Sequence, residues 1–417
     1  MHRLQTAVLG ITLAALLLGS TGPRAESSEI PVTALSSSLN MDPILVDSPA
    51  LVFVFPEMAA DQPAQAMGTV DVYDYDQQNG LGVIARPGQH ALFALSQPVS
   101  WRVAGYGSTR ETSRLQAGWS VRSGAWRLGA ALRGSQLREE NGRTEQDDYY
   151  DPPRLTGRAF QERITRLEAA LGAGLRSRSV DLDLSLELRR HDQTISRASF
   201  TTTAQYSDTT ALGIETNGDL SPAFSARARF EIGADAAIVV ATEWSEFRAR
   251  WDGWSYRAMH DDADEEWELV RLSPEQYGRR WFAGAAVLVP TRVVDEIDVS
   301  ASFFDVDQPY IAADESYAWN IHEGLRTGAV AVSVREELLR NLEALAGLRV
   351  SYSERRTSEE MRNSTRTSTD ILKRDEMNEN LSAGLAYSWR RFRLAGMLDM
   401  PPQLSRPFFI ADVRVLF

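Results

Sequence analysis

The reactive groups this chain sets out in a pattern are arginines and carboxylates, spaced two apart. Asp181, Asp183 and Glu187 alternate with leucines across residues 180–189, Arg127 and Arg133 with Leu128 and Leu132, and Arg227, Arg229 and Glu231 with Ala228, Phe230 and Ile232. Arg102 and Arg122 stand in the same kind of setting. Guanidiniums and carboxylates on one face can line a hydrated pore and set its selectivity by their fields. They can equally pair with one another and close the interior. Arginines cluster early and acids gather at 180–187, which predicts a transverse field across a lumen.

Other chemistry finds little support. His260-Asp261-Asp262 has the composition of a water-activating pair, but His90, His191 and His322 lie in no Gly-x-Ser-x-Gly elbow or His-Glu-x-x-His helix. No glycine-rich phosphate loop opens a helix, and no enzyme activity is expected. The acidic runs at 147–151 and 261–266 offer oxygen ligands of the type calcium prefers, without the spacing of a known calcium loop. They are expected to be solvated, so no metal or cofactor is assigned. The net charge of −13 disfavours nucleic acid as a partner.

The elements that must carry these charges are strands. A helix would smear the charges of 180–189 around all sides, whereas a strand sorts aliphatic from charged residues completely. The same grammar returns at 126–133, 226–232, 330–335, 348–352 and 381–389. Several such runs reach ten residues or more, long for a soluble sheet. Tight connections (123–124, 176–179, 290–291, 336–340, 390–391) alternate with long polar ones (139–160, 250–278, 307–323, 354–378), as in transmembrane barrels with short periplasmic turns and long extracellular loops. The fold expected is all-β: an antiparallel up-and-down barrel of about sixteen strands counted from Val99, with fourteen as the rival because 190–220 is hard to divide.

The C-terminus fixes the compartment. Phe409, Val413, Val415 and Phe417 share one face of the last ten residues, with Asp412 and Arg414 on the other. A chain ending on Phe in such a strand resembles the insertion signal of Gram-negative outer-membrane β-barrel proteins. That resemblance implies outer-membrane lipid, lipopolysaccharide and the barrel assembly machinery as partners. Residues 1–25, with a basic start, a short apolar core and small residues, read as a signal peptide. Beyond it, the best apolar run, 281–290, is about half the ~20 residues of a spanning helix. Ten tryptophans and twelve tyrosines suit aromatic girdles, and the absence of cysteine excludes a disulfide framework.

Residues 26–79 differ, with five prolines and the apolar run 51–55. They are expected to form a periplasmic lead-in, a lumen hatch or the first strands, ahead of a barrel at 80–417. Ser48-Pro49-Ala50 followed by Gly80-Leu81-Gly82-Val83-Ile84 resembles the start of FadL-like barrels, with serine in place of the asparagine. The resemblance implies an N-terminal hatch and transport of hydrophobic compounds. A greasy conduit calls for fewer inward charges than are found here, so the primary expectation is a passive channel or porin for small solutes. The alternatives are the FadL-like transporter and a non-conducting anchoring barrel. Oligomeric state is left open by the sequence.

Overall fold

The computed structural model describes residues 42–416 apart from 47–48, 72–79, 87–88, 103–108, 148–153, 203–205, 233–235, 262–263, 273–274, 292–293, 314–317, 363–366 and 401–407. The expected signal peptide and Phe417 lie outside the described residues. Eighteen strand segments follow one another: Gln65–Asp71 (β1), Gly80–Ala85 (β2), His90–Arg102 (β3), Thr109–Ser123 (β4), Trp126–Asp147 (β5) and Arg154–Arg176 (β6). Then come Val180–Thr202 (β7), Tyr206–Gly218 (β8), Ser221–Ile232 (β9), Ala236–Asp261 (β10), Asp264–Leu272 (β11) and Glu275–Pro290 (β12). The last six are Glu296–Ala313 (β13), Ala318–Leu339 (β14), Leu342–Arg362 (β15), Thr367–Trp389 (β16), Phe392–Met400 (β17) and Phe408–Leu416 (β18).

These eighteen segments make sixteen staves of one closed antiparallel barrel. β8 and β9 both pair with β7, at 193–202 and 180–189, and both pair with β10, so they are two lengths of one stave. β11 and β12 divide the opposite edge of β10 in the same way. The wall closes where β1 pairs with β18 along seven residues, Gln65↔Leu416 to Asp71↔Ile410. Closure leaves no strand edge for the backbone to satisfy, the condition for a sheet in lipid. Sixteen staves match the expected number but start at Gln65, not at Val99 or Gly80. β1 belongs to the proline-rich segment, and β2 and β3 begin ahead of Val99.

The tight turns lie where the alternation placed them. Ser123 faces Trp126 across Gly124-Ala125, Leu339 faces Leu342 across Arg340-Asn341, and Trp389 faces Phe392 across Arg390-Arg391. Gly124 and Arg390 take the left-handed backbone, at φ 61° and 52°, which the twist of a two-residue hairpin favours. The expected long loops are mostly ladder instead. Pairing runs from Trp126↔Leu175 out to Asp147↔Arg154 and from Leu342↔Tyr387 out to Arg362↔Thr367. Sequence patterning lost these arms because residues 138–147 and 354–370 are polar at odd and even positions alike, which removes the period-two contrast. At about 3.3 Å per residue and a tilt of about 40°, the 26 residues of β10 climb roughly 65 Å, beyond an apolar band of about 25 Å.

The barrel is inside-out relative to a soluble protein. Leu128, Leu132, Leu171, Leu186, Val330, Leu385 and Leu394 are exposed on the outer face, while Arg127, Arg133, Glu168, Asp183, Glu187, Arg227 and Asp298 are buried on the inner one. The inner wall is not uniformly charged. Ile84, Phe93 and Leu95 on β2–β3, Val239 on β10, and Phe282 and Leu288 on β12 also face inward and are buried. They are covered by the chain that precedes β1. Three 3-10 turns, Pro43–Leu45, Pro49–Phe53 and Pro56–Ala60, pack inside the barrel and form one apolar cluster with the wall. In the described part of residues 26–79, the three turns pack against the inner wall and Gln65–Asp71 supplies the first strand.

Candidate functional site

The contact between this internal plug (residues 42–61) and the barrel wall brings most of the expected charged residues together. Short 3-10 turns leave backbone carbonyls without helical partners, and inside a barrel these must find donors. Inward side chains supply them. Arg227 Nε donates to the Ile44 carbonyl at 3.0 Å, Gln116 Nε2 to the Val52 carbonyl at 3.3 Å, and Arg133 Nη2 to the Phe53 carbonyl. Asp42 caps the first turn, its Oδ1 accepting from the Ile44 amide, and burial holds its carboxyl above the ordinary carboxylate range.

At the short-turn mouth the plug ends in a clasp. Asp61 accepts from Arg127 at 2.6 Å, Arg122 at 3.0 Å and Arg176 at 3.2 Å. Burial pushes the Asp61 carboxyl up, but the Arg127 guanidinium beside it outweighs this and holds it below its usual value. Arg127, 1% exposed, also binds Asp181 and, at 2.8 Å, Asp183. One guanidinium thus bridges two strands of the wall and the plug. One rung higher, Arg133 joins Glu187 at 2.5 Å and Glu168 at 3.5 Å, and Arg189 reaches Glu187 at 2.7 Å. Charge-assisted pairs of this kind are the strong ones when dry.

Between these two rungs the wall is stripped to backbone. Gly129 of β5 and Gly172 of β6 are direct cross-strand partners. A methyl group on Gly129 would lie 2.6 Å from the Pro56 carbonyl carbon and 2.7 Å from the Glu57 Cα, and one on Gly172 would lie 2.7 Å from the Glu57 Cδ. The notch therefore admits the Pro56–Ala60 turn, with the Glu57 carboxyl at 0% exposure beside Asp183. Burial first, and the Asp183 charge second, push the Glu57 carboxyl up to about 9. Glu57 Oε1, Glu57 Oε2 and Asp183 Oδ2 are buried without hydrogen-bond partners among the described residues.

The remaining expected site residues sort as follows. Arg229 pairs with Glu231 at 3.1 Å on β9, near the mouth and away from the plug's carbonyls. Arg102 ends β3, and its side chain lies outside the description, as does that of Phe409. Val413 is 43% exposed on the outer face and Val415 half-buried, their backbones paired with Leu394 and Phe392. Sequence reasoning missed Glu57, Asp61, Gly129 and Gly172. The available signal was two glycines at charged-face positions of neighbouring strands, Gly129 between Arg127 and Arg133 and Gly172 beyond Glu168.

No protein-family model and no curated protein sequence matches this chain. Among solved structures it is similar to a FadL homologue of Pseudomonas aeruginosa, at 11% identity, covering 96% of this chain and 100% of that one, with a TM-score of 0.44. It is similar also to the toluene transporter TodX of Pseudomonas putida (10% identity, 95% and 98% covered, TM-score 0.42). CdiB from Acinetobacter baumannii is matched over 85% of this chain and 60% of its own length, at 10% identity and a TM-score of 0.44.

Proposed function

We propose that this chain is an outer-membrane transport barrel gated by its own N-terminal segment, and that it passes hydrophobic compounds instead of standing open as a porin for small polar solutes. The observation that carries this is the plug itself: Leu51, Val52, Phe53, Phe55 and Met58 sit against inward Ile84, Phe93, Phe282 and Leu288 in one apolar cluster. A barrel filled at this level supports gated passage over free diffusion. When the plug moves, it uncovers an apolar lane on β2–β3 and β10–β12, which an apolar solute covers at lower cost than water does. In this reading the inward arginines Arg127, Arg133 and Arg227 seat the plug and do not act as a selectivity ring. The outer belt of leucine and valine and the polar ladders above it support residence in the outer membrane.

Planar-bilayer recording and uptake of a small labelled hydrocarbon test this together. The intact barrel is expected to be nearly silent to ions, deletion of residues 42–61 to give stable open steps, and cells with the intact chain to take up the hydrocarbon faster than cells without it. Large, stable ionic steps from the intact barrel, equal to those of the deletion, would restore the open-porin reading. A second reading, a non-conducting anchor, draws support from the paired interior at Arg133, Glu168 and Glu187. It predicts no passage of ions or hydrocarbon, before or after the deletion.

A further inference from the structure

The plug's seating places an acid where an acid is costly, and this is the feature the transport reading leaves unused. Glu57 sits in the Gly129/Gly172 notch, fully enclosed. The elements packed against its turn bring a specific set of charges. From β7 come Asp181, Asp183 and Glu187; from β5, Arg127; from β4, Arg122; from β6, Glu168 and Arg176; and from β9, Arg227. The neighbouring turn Pro49–Phe53 and the facing part of β3 bring no acid or base to it. Arg127 already serves Asp61, Asp181 and Asp183, and Glu168 and Glu187 share Arg133. No guanidinium donates to Glu57, while Asp183 Oδ2 next to it has no donor among the described residues.

We propose that Glu57 is a proton-operated latch: the plug seats with the Glu57 carboxyl neutral, its O–H donating to Asp183, and unseats when that proton is lost to water. A neutral acid would fill the empty acceptor on Asp183, so one proton gives a partner to Asp183 Oδ2 and to one of the two Glu57 oxygens. An ionised Glu57 would instead set two carboxylates side by side out of water, where like charges repel strongly. The inference rests on the plug acting as the gate but needs no particular solute.

The sign follows from the raised carboxyl. The seated form holds a proton that the unseated form, with an ordinary acid near 4.5, releases. Seating is therefore strongest below that ordinary value and weakens as pH rises toward about 9, by up to tenfold in the seated-to-unseated ratio per pH unit for one proton. Asp61 acts in the opposite direction at the acid end, because its clasp requires the ionised form. The plug is thus held most firmly in mildly acidic surroundings and loosens toward alkaline ones.

Amide hydrogen exchange on the purified full-length barrel tests this without any solute. The amides of Phe55, Met58 and Asp61 are bonded within the plug, to Leu51, Phe55 and Met58 carbonyls at 2.7, 3.0 and 3.1 Å. Their protection factors, corrected for the intrinsic pH dependence of exchange, are expected to fall several-fold to tenfold per unit between pH 6 and 8. Glu57→Gln, which keeps the shape and offers an N–H to Asp183, should flatten this slope and keep protection high at pH 8. Should that variant fail to assemble, Asp183→Asn serves in its place: the neighbouring charge that raises the Glu57 carboxyl is gone, so the fall should level off at a lower pH and leave plug protection at pH 8 above that of the native barrel. A slope absent from the native barrel, or equally steep in Glu57→Gln, overturns the latch. Plug protection that is pH-dependent in a barrel that passes no hydrocarbon would keep the latch and sink only the transport reading.

Discussion

Replacing Gly129 by alanine should unseat the plug without damaging the wall. The new methyl would stand 2.6 Å from the Pro56 carbonyl carbon and 2.7 Å from the Glu57 Cα, both backbone atoms that cannot rotate away. To regain ordinary contact at 3.4 Å the turn must retreat by about 1 Å, because the Glu57 amide nitrogen lies nearer still, and this also stretches the adjacent Asp61–Arg127 bond of 2.6 Å. Overpacking of this kind costs about 1–3 kcal/mol, and about 1.4 kcal/mol is a factor of ten. The unseated fraction should rise by roughly five- to 150-fold by the same conversion. Gly134→Ala, on the same strand, is the control: its methyl would meet its nearest neighbour, Leu167, at 3.5 Å, an ordinary contact. Exchange protection of the plug amides and ion conductance are the readouts, with heat-modifiable migration confirming an intact wall. If Gly129→Ala matched Gly134→Ala in both, the notch would not be what seats the plug, and the argument from close approach would fail.

Other perturbations have defined outcomes. Asp61→Asn removes the charge shared by Arg122, Arg127 and Arg176 and should lower plug protection by about 1.5–3 kcal/mol, the scale of a hydrogen bond to a charged group. Because Asp61 is held below its usual value, its contribution is fully present above about pH 4 and is lost progressively as pH falls below that; exchange in the native barrel should move toward that of the variant as the pH is lowered from 4. Val413→Asp puts a charge on the outer face of the closing strand and should reduce outer-membrane assembly, by up to about 2–4 kcal/mol if that position lies at midplane. Unchanged heat-modifiable barrel in outer-membrane fractions would refute that facing. Arg390→Gly, at the one described non-glycine residue with a left-handed backbone, should stabilise the Trp389/Phe392 hairpin by about 1 kcal/mol, readable as a higher unfolding temperature.

What the sequence disclosed follows the physics of each element. Alternation at 180–189 is legible because the two faces of β7 differ: Leu184, Leu186 and Leu188 are exposed, while Asp183, Ser185 and Glu187 are buried. The upper arms of β5, β6, β15 and β16 were illegible as strands because their sequence is polar at odd and even positions alike and carries no contrast. β1 was hidden in the proline-rich segment: seven residues, including Gly68, offer too short a run for a period to emerge. The roles of the inward arginines were the deepest loss. Arg127 finds Asp61 66 positions earlier and Arg227 finds Ile44 183 positions earlier, partners that no local pattern announces.

The seam between β1 and β18 has a consequence for assembly. The plug lies immediately ahead of β1 in the chain, and β1 completes its pairing only when β18, the last strand, arrives. Every other stave can pair with its sequence neighbour as an open, curling sheet. The lumen becomes an enclosed space only at this final step, which joins the two ends of the chain across some 340 residues. The first segment is therefore already within the curl, or is captured by it, when the last one seals the wall. Biogenesis, on this topology, resembles wrapping a vessel around its stopper, and a plug expelled afterwards must return through a mouth through which it never first entered.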